Sequence, residues 1–272
     1  MNIRAAVVAS LADLPAWGRG SDIVDCPGGS PVRVLECALG RDADLCCDAT
    51  NGVVFGRRPL GHVERSVIGT DRLGRDCAVL AHLGAAALIA FEELAIRLVS
   101  IGAPTALVRR CHGAAADQRL HVRLLAGVAH RRGVSVPDPK NQKVPASLFE
   151  VALDNAAEGC AGDTWAALVA WARSERAQTT ELRRIFRRIA TDKTRHGQLA
   201  WDLDAWLMPR LSVRQRAEVD AARNGALREL QYLIRAEMVT APELGTLPKE
   251  QWRHLAGSLR HRLLDGAVAT AA

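Results

Sequence analysis

Asp192-Lys-Thr-Arg-His196, within the run Ile189-Ala-Thr-Asp-Lys-Thr-Arg-His-Gly-Gln-Leu-Ala-Trp201, puts a lysine and a histidine into the apolar stripe of a helix. On a period of about 3.6 residues, Leu182, Ile185, Phe186, Ile189, Ala200 and Leu203 share one face. Lys193 and His196 follow Ile189 by four and seven residues, so they fall on that same face. Polar groups there are unfavourable unless paired. A second segment, Asp117-Gln-Arg-Leu-His121, has the same Asp-x-x-x-His spacing 75 residues earlier (196 − 121). Its face is formed by Leu107, Cys111, Ala114, Leu125 and Val128, and also contains Gln118 and His121. One histidine in such a stripe is ordinarily a satisfied core residue. Two at matching positions of duplicated helices predict a buried site.

Working outward, the breaks in the pattern predict helices over about 75–100, 105–131, 147–175, 179–207, 212–238 and 248–265. Gly102-Ala-Pro104, Gly133, Pro209 and the Pro242-to-Pro248 linker supply the stops. A Pro-rich connection from Val134 to Ala146 joins the second helix to the third. Two antiparallel pairs with one longer crossover predict an all-α four-helix bundle with cofactor-bearing facing helices. The expected organisation is an irregular N-terminal extension over 1–70, the bundle over 71–210, and a helical C-terminal extension over 211–272. The first of these carries Gly and Pro punctuation and short runs such as Val53-Val54 and Val67-Ile68, read as an irregular segment with room for one hairpin.

Composition excludes several classes. Aromatic residues make up 4%, against 49% hydrophobic, which suits close-packed Ala/Leu helices better than a β-sandwich. The net charge of +6 is modest. Its densest cluster, Arg183, Arg184, Arg187 and Arg188, interrupts an apolar series and reads as a solvated helix face; no nucleic-acid partner is expected. Cysteines 26, 37, 46, 47, 77, 111 and 160 are odd in number, with no C-x-x-C pair, and are read as reduced thiols. The apolar run Met1 to Trp17 contains Asp13 and lacks a clear small-residue cleavage site. No stretch approaches about 20 uninterrupted apolar residues, so no membrane span and a cytoplasmic location are expected.

The residues from about 75 to 208 resemble the ferritin-like di-iron carboxylate superfamily, in particular a bacterial subgroup close to the rubrerythrins. Phe91 through Pro104 is similar to the end of its first helix, Glu158-Gly-Cys-Ala-Gly-Asp-Thr164 to its third-helix signature, and Ile189 to Trp201 to its fourth. In that family helices two and four each supply Glu-x-x-His, and helices one and three one carboxylate each. The resemblance implies that His121 and His196 survive, that Gln118 and Lys193 stand where the glutamates were, that Gly84 replaces the first-helix carboxylate, and that Asp163 is a shortened third-helix one. Glu92 and Glu93 lie on other sides of the first helix, and Glu158 projects elsewhere unless a helix irregularity near Gly159 and Gly162 redirects it. A normal di-iron centre is not expected.

Asp117 and Asp192 precede the lost glutamates, where the family uses such residues to bond the opposite histidine. The resemblance therefore implies two Asp-His dyads, Asp117 with His196 and Asp192 with His121, around Lys193. Such a set performs metal-independent acid-base chemistry on a small organic molecule, or forms a Schiff base through lysine. Equally open is a buried Lys193–Asp163 salt bridge that merely fills the site. On the leading reading, a repurposed protein, of bacterial biosynthesis by analogy with that superfamily, uses His121, His196, Lys193, Asp117, Asp192 and Asp163, with Gln118, Gly84 and Glu158 lining the ligand, and no cofactor. The alternatives are an Fe- or Mn-dependent oxidase or oxygenase on His121, His196 and Asp163, and a non-catalytic interaction protein docking through Trp252 and Leu255 near Arg253 and His254, although core packing of an amphipathic helix is the more ordinary use of those two residues. A homodimer is compatible with each.

Overall fold

The structure, a computed structural model, describes residues 1–14, 56–59, 62–63, 66–141, 146–238 and 240–269. It is predominantly helical. In chain order the elements are α1 (Ile3–Ala12), β1 (His62–Val63), α2 (Arg72–Ser100), α3 (Thr105–Arg131), β2 (Lys140–Asn141) and α4 (Leu148–Asp154). A π-helical segment (Asn155–Asp163) then leads into α5 (Thr164–Arg176), α6 (Thr180–Leu207), α7 (Val213–Met238) and α8 (Lys249–Ala269).

Local chemistry sets the helix limits. Asp71 caps α2 by accepting from Gly74 N–H at 2.6 Å, and Thr179 caps α6 through Leu182 N–H at 3.2 Å. Ser147 and Glu150 form a reciprocal capping box on α4. Both α2 and α3 end in a left-handed glycine, Gly102 and Gly133, each at φ 72°. In each case the next N–H reaches back to the turn before: Ala103 to Leu98 O at 2.9 Å and Val134 to Ala129 O at 3.0 Å.

Helices α2 and α3 pack along their length as one antiparallel pair, α5 and α6 as another, and α3 meets α6 between the pairs. The face of α6 predicted from its period is buried throughout, as is the corresponding face of α3. Contrary to the expectation that no segment could span a membrane, α2 is apolar enough by length and composition to cross a bilayer, though most of that apolar window is buried in the protein. Helix α7 lies on the π-helical segment, and α8 on α7 and α1.

Two further expectations are corrected. Residues 3–12 are helical rather than irregular: Asn2 caps α1, and Ile3 and Val7 are fully buried against the α5 and α8 side chains. The short apolar period of Ile3, Val7 and Ser10 is the packing stripe. Val67-Ile68 is not a strand, and the sole pairing among the described residues is the two-residue antiparallel contact of His62–Val63 with Lys140–Asn141. Trp252 and Leu255 are fully buried, with Trp252 against Trp165, which is the core packing expected of an amphipathic helix and leaves neither free to form a docking surface. Val53-Val54 and the cysteines at 26, 37, 46 and 47 lie outside the described residues. Cys77, Cys111 and Cys160 are free and buried.

Candidate functional site

The two dyads are present. On α3 and α6, His121 Nε2–H donates to Asp192 Oδ2 at 3.0 Å, and His196 Nε2–H to Asp117 Oδ2 at 3.1 Å. The imidazole centroids are 6.3 Å apart, and Phe91 of α2 packs edge-on against His196 at 5.0 Å. Each aspartate is also held from the surface side. Arg188 Nε donates to Asp192 at 2.8 Å, and Arg195 Nη2 bonds both Asp192 at 2.7 Å and Asp117 at 3.0 Å.

These bonds decide the state of the rings. Burial pushes His121 down to about 4 and also lowers His196, in each case against the pull of its aspartate. Burial would raise Asp192, but the hydrogen bonds from His121 and Arg188 outweigh it and hold the carboxyl at about 2. The ion in each dyad is thus the aspartate, and the imidazole is neutral with its hydrogen on Nε2. Nδ1 of both rings is then a lone pair. Gln118 Oε1 lies 3.3 Å from His121 Nδ1, and an end-over-end turn of that amide puts its nitrogen there as the donor the lone pair requires. His196 Nδ1 is buried without a hydrogen-bond partner.

Lys193, one turn before His196 on α6, is fully buried and forms an ion pair with Asp163 at 3.7 Å. Burial drags its pKa down to about 8, with Asp163 pulling the other way. A short strap covers this pair. Gly56 sits at φ 110°, and a β-carbon on it would lie 2.0 Å from Lys193 Nζ and 2.8 Å from Asp163 Oδ1, so only glycine fits. Arg57 N–H donates to the same Asp163 Oδ1 at 3.2 Å, and the Arg57 side chain runs inward.

Arg57, Asp154 and Asn155 were not anticipated. The Arg57 guanidinium, 2% exposed, donates to Asp154 Oδ2 at 3.1 Å and Asn155 Oδ1 at 2.7 Å, and lies over Phe91 with 5.7 Å to the ring centroid. Burial raises Asp154 to about 6 despite this arginine. A Gly-Arg-Arg-Pro stretch that reaches the helices about 100 residues on has no periodicity to reveal it. One signal was available in composition: of the 36 Lys and Arg residues only four are lysines, at 140, 143, 193 and 249. A chain this committed to arginine nonetheless buries a lysine at 193.

The remaining candidates divide. Gly84 of α2 does face the site, since a β-carbon there would lie 3.7 Å from Gln118 Oε1 and 3.2 Å from Val122 Cγ2. Glu158 does not join it. The helix irregularity exists, as the π-helical ladder of 155–163, but Glu158 is taken by Arg58, which donates from its backbone at 3.2 Å and from Nη2 at 2.9 Å. Among the described residues no group of three or more His, Cys, Asp or Glu converges as a metal-binding set. No family model matches this chain, and no curated protein or solved structure matches it either.

Proposed function

We propose that this chain is a ferritin-like four-helix protein whose metal position has passed to the chain's own cations, and that it binds or converts a small carbonyl or carboxylate compound without a metal. The observation that carries this reading is Lys193: one of four lysines, wholly buried, within a site flanked by two neutral imidazoles each held by an aspartate. The ferritin-like part is supported by the register of five positions. Gly84, Gln118, His121, Asp163 and His196 come from four different helical segments toward one region, in the order the resemblance implies.

The donor set does not fit a di-metal centre. Two buried cations, Lys193 and the Arg57 guanidinium, share Asp163, and a third cation beside them would be repelled. No step is therefore routed through iron or manganese. Arginine would serve a purely structural ion pair better, because it stays charged and makes more hydrogen bonds. Lysine differs in being able to lose its proton. A pKa of about 8 increases the neutral amine at neutral pH by roughly 300-fold over an ordinary lysine. A neutral Lys193 nitrogen attacks a carbonyl carbon, and the carbonyl oxygen leaves as water after two proton transfers, giving an imine. In this reading the unpartnered His196 Nδ1 lone pair, one helical turn from Lys193, serves as the base that takes up and returns a proton.

Treating the whole protein with small aldehydes and 2-oxo acids plus cyanoborohydride, followed by peptide mapping, tests this. The expected product is a reduced adduct on Lys193, lost in Lys193→Met. Labelling confined to Lys140, Lys143 and Lys249 would sink it. A second reading, an inert ion-pair core, is favoured by the closeness of Gly56 to Lys193 and predicts that latter outcome.

A further inference from the structure

The Arg57 guanidinium is met at both Nη atoms and over Phe91 by groups that suit a planar cation. Its Nη1 and Nη2 bond different acceptors, Asp154 Oδ2 and Asn155 Oδ1, and its central carbon lies over the Phe91 ring, 5.7 Å from the centroid. Room for it is kept at a cost. A β-carbon on Gly159 would lie 2.1 Å from Nη2, so this position of the π-helical segment must stay glycine. The π-helical turns themselves are a rare and poorly bonded geometry that recurs at functional sites. Asn155, which opens that segment, is fixed from behind by Nδ2 donating to Ala200 O at 2.9 Å, so its oxygen faces the guanidinium.

The fit is incomplete on one side. Arg57 Nε stands 3.7 Å from Asp163 Oδ2, and both atoms are buried without a hydrogen-bond partner. The tether explains the gap: the same residue's backbone N–H is bonded to Asp163 Oδ1, which holds the guanidinium away from the second oxygen. A guanidinium free of this backbone can move closer and close that bond. The pocket thus suits an untethered guanidinium better than it suits the one that fills it.

We infer that Asp154, Asn155, Asp163 and Phe91 form a recognition site for small guanidino compounds, held shut by Arg57 as an internal ligand. The inference goes beyond the carbonyl chemistry proposed for Lys193 and does not require that lysine to react. A ligand that displaces Arg57 also lifts Gly56 from Lys193, so the two regions open together.

The test uses the full chain with Arg57→Ala, titrated with millimolar methylguanidinium and, as control, methylammonium, by calorimetry and thermal shift. Saturable one-to-one binding at least ten-fold tighter than methylammonium is expected, and lost when Asp154→Asn is added. A folded Arg57→Ala protein that binds neither cation, or both equally, overturns the inference. Should Arg57→Ala not fold unaided, methylguanidinium must raise its refolding yield above that with methylammonium; equal yields overturn it. In the wild type, hydrogen exchange of the Arg57 and Arg58 amides should speed up several-fold with methylguanidinium. Binding by the variant with no such response in the wild type marks an internal ion pair only, and also overturns it.

Discussion

Arg57 and Lys193 divide one buried carboxylate between them. Asp163 Oδ1 accepts from the Arg57 backbone at 3.2 Å and lies 3.7 Å from Lys193 Nζ, with both side chains sealed from water. Removing a partner from such an arrangement costs more than the pair itself is worth, because a charge is left uncompensated in a poor dielectric. Asp163→Asn should therefore lower stability by about 3–5 kcal/mol in urea denaturation. Asp202→Asn, at a half-exposed pair with Arg110, should change it by less than about 1 kcal/mol. Equal losses would mean that Asp163 carries no special load.

The Gly56 strap is a steric seal as well as a backbone turn. Gly56→Ala meets both the φ of 110° and the Lys193 ammonium group, and a loss of about 2–4 kcal/mol is expected. Shortening the lysine separates the two causes. In the Lys193→Ala background the same substitution should cost at least about 1 kcal/mol less, a coupling read from a double-mutant cycle. Full additivity would place the strap away from Lys193.

Lys193 also predicts a direction for pH dependence. Its folded pKa is about 8 and its unfolded value 10.5, so between those values the unfolded chain holds the proton that the folded chain has released. Stability should rise with pH across that window, by roughly 3 kcal/mol relative to Lys193→Met, and show no contribution from this group below it. Denaturation curves of the two proteins from pH 7 to 10.5 measure the difference, in which the other groups cancel. A flat difference would mean that the lysine is ordinarily charged.

His121 works at the acid end with the same sign. Its folded pKa is about 4 against 6.5 unfolded, so acidification from pH 6.5 to 4 protonates the unfolded chain first and removes up to about 3 kcal/mol. Asp154, raised to about 6, opposes this, since its contribution is present at low pH and lost as pH climbs from 3.8 to 6. Comparison with His121→Gln isolates the histidine. Nitrogen-15 shifts should independently report a neutral ring with its hydrogen on Nε2 at pH 7; an imidazolium there would contradict the dyad as described.

Much of the helical scaffold was legible because the chain punctuates it locally. Gly102, Pro104, Gly133 and Pro209 stop helices at positions that propensity and the 3.6-residue period can locate. The same period exposed Lys193, His121, His196 and Gln118 as polar residues in buried stripes. Helix α1 was hidden because ten residues near a terminus, eight of them apolar, resemble a leader as much as a helix. Arg57 was hidden for a deeper reason. Its partners Asp154, Asn155 and Asp163 lie 97 to 106 residues away, and nothing local distinguishes it from the other arginines of the chain. The π-helical turn escaped as well, because Gly159 and Gly162 mark an irregularity without stating its register, and so the fate of Glu158 could not be read.

The central claim is that Lys193 and Arg57, which share Asp163, leave this buried site without a metal. Elemental analysis of the whole protein, produced with iron and manganese in excess and then titrated anaerobically with Fe(II), tests it most directly. The account predicts less than about 0.1 equivalent of either metal per chain after desalting, unchanged by His121→Ala or His196→Ala. One or two equivalents per chain, lost on replacing either histidine, would contradict it.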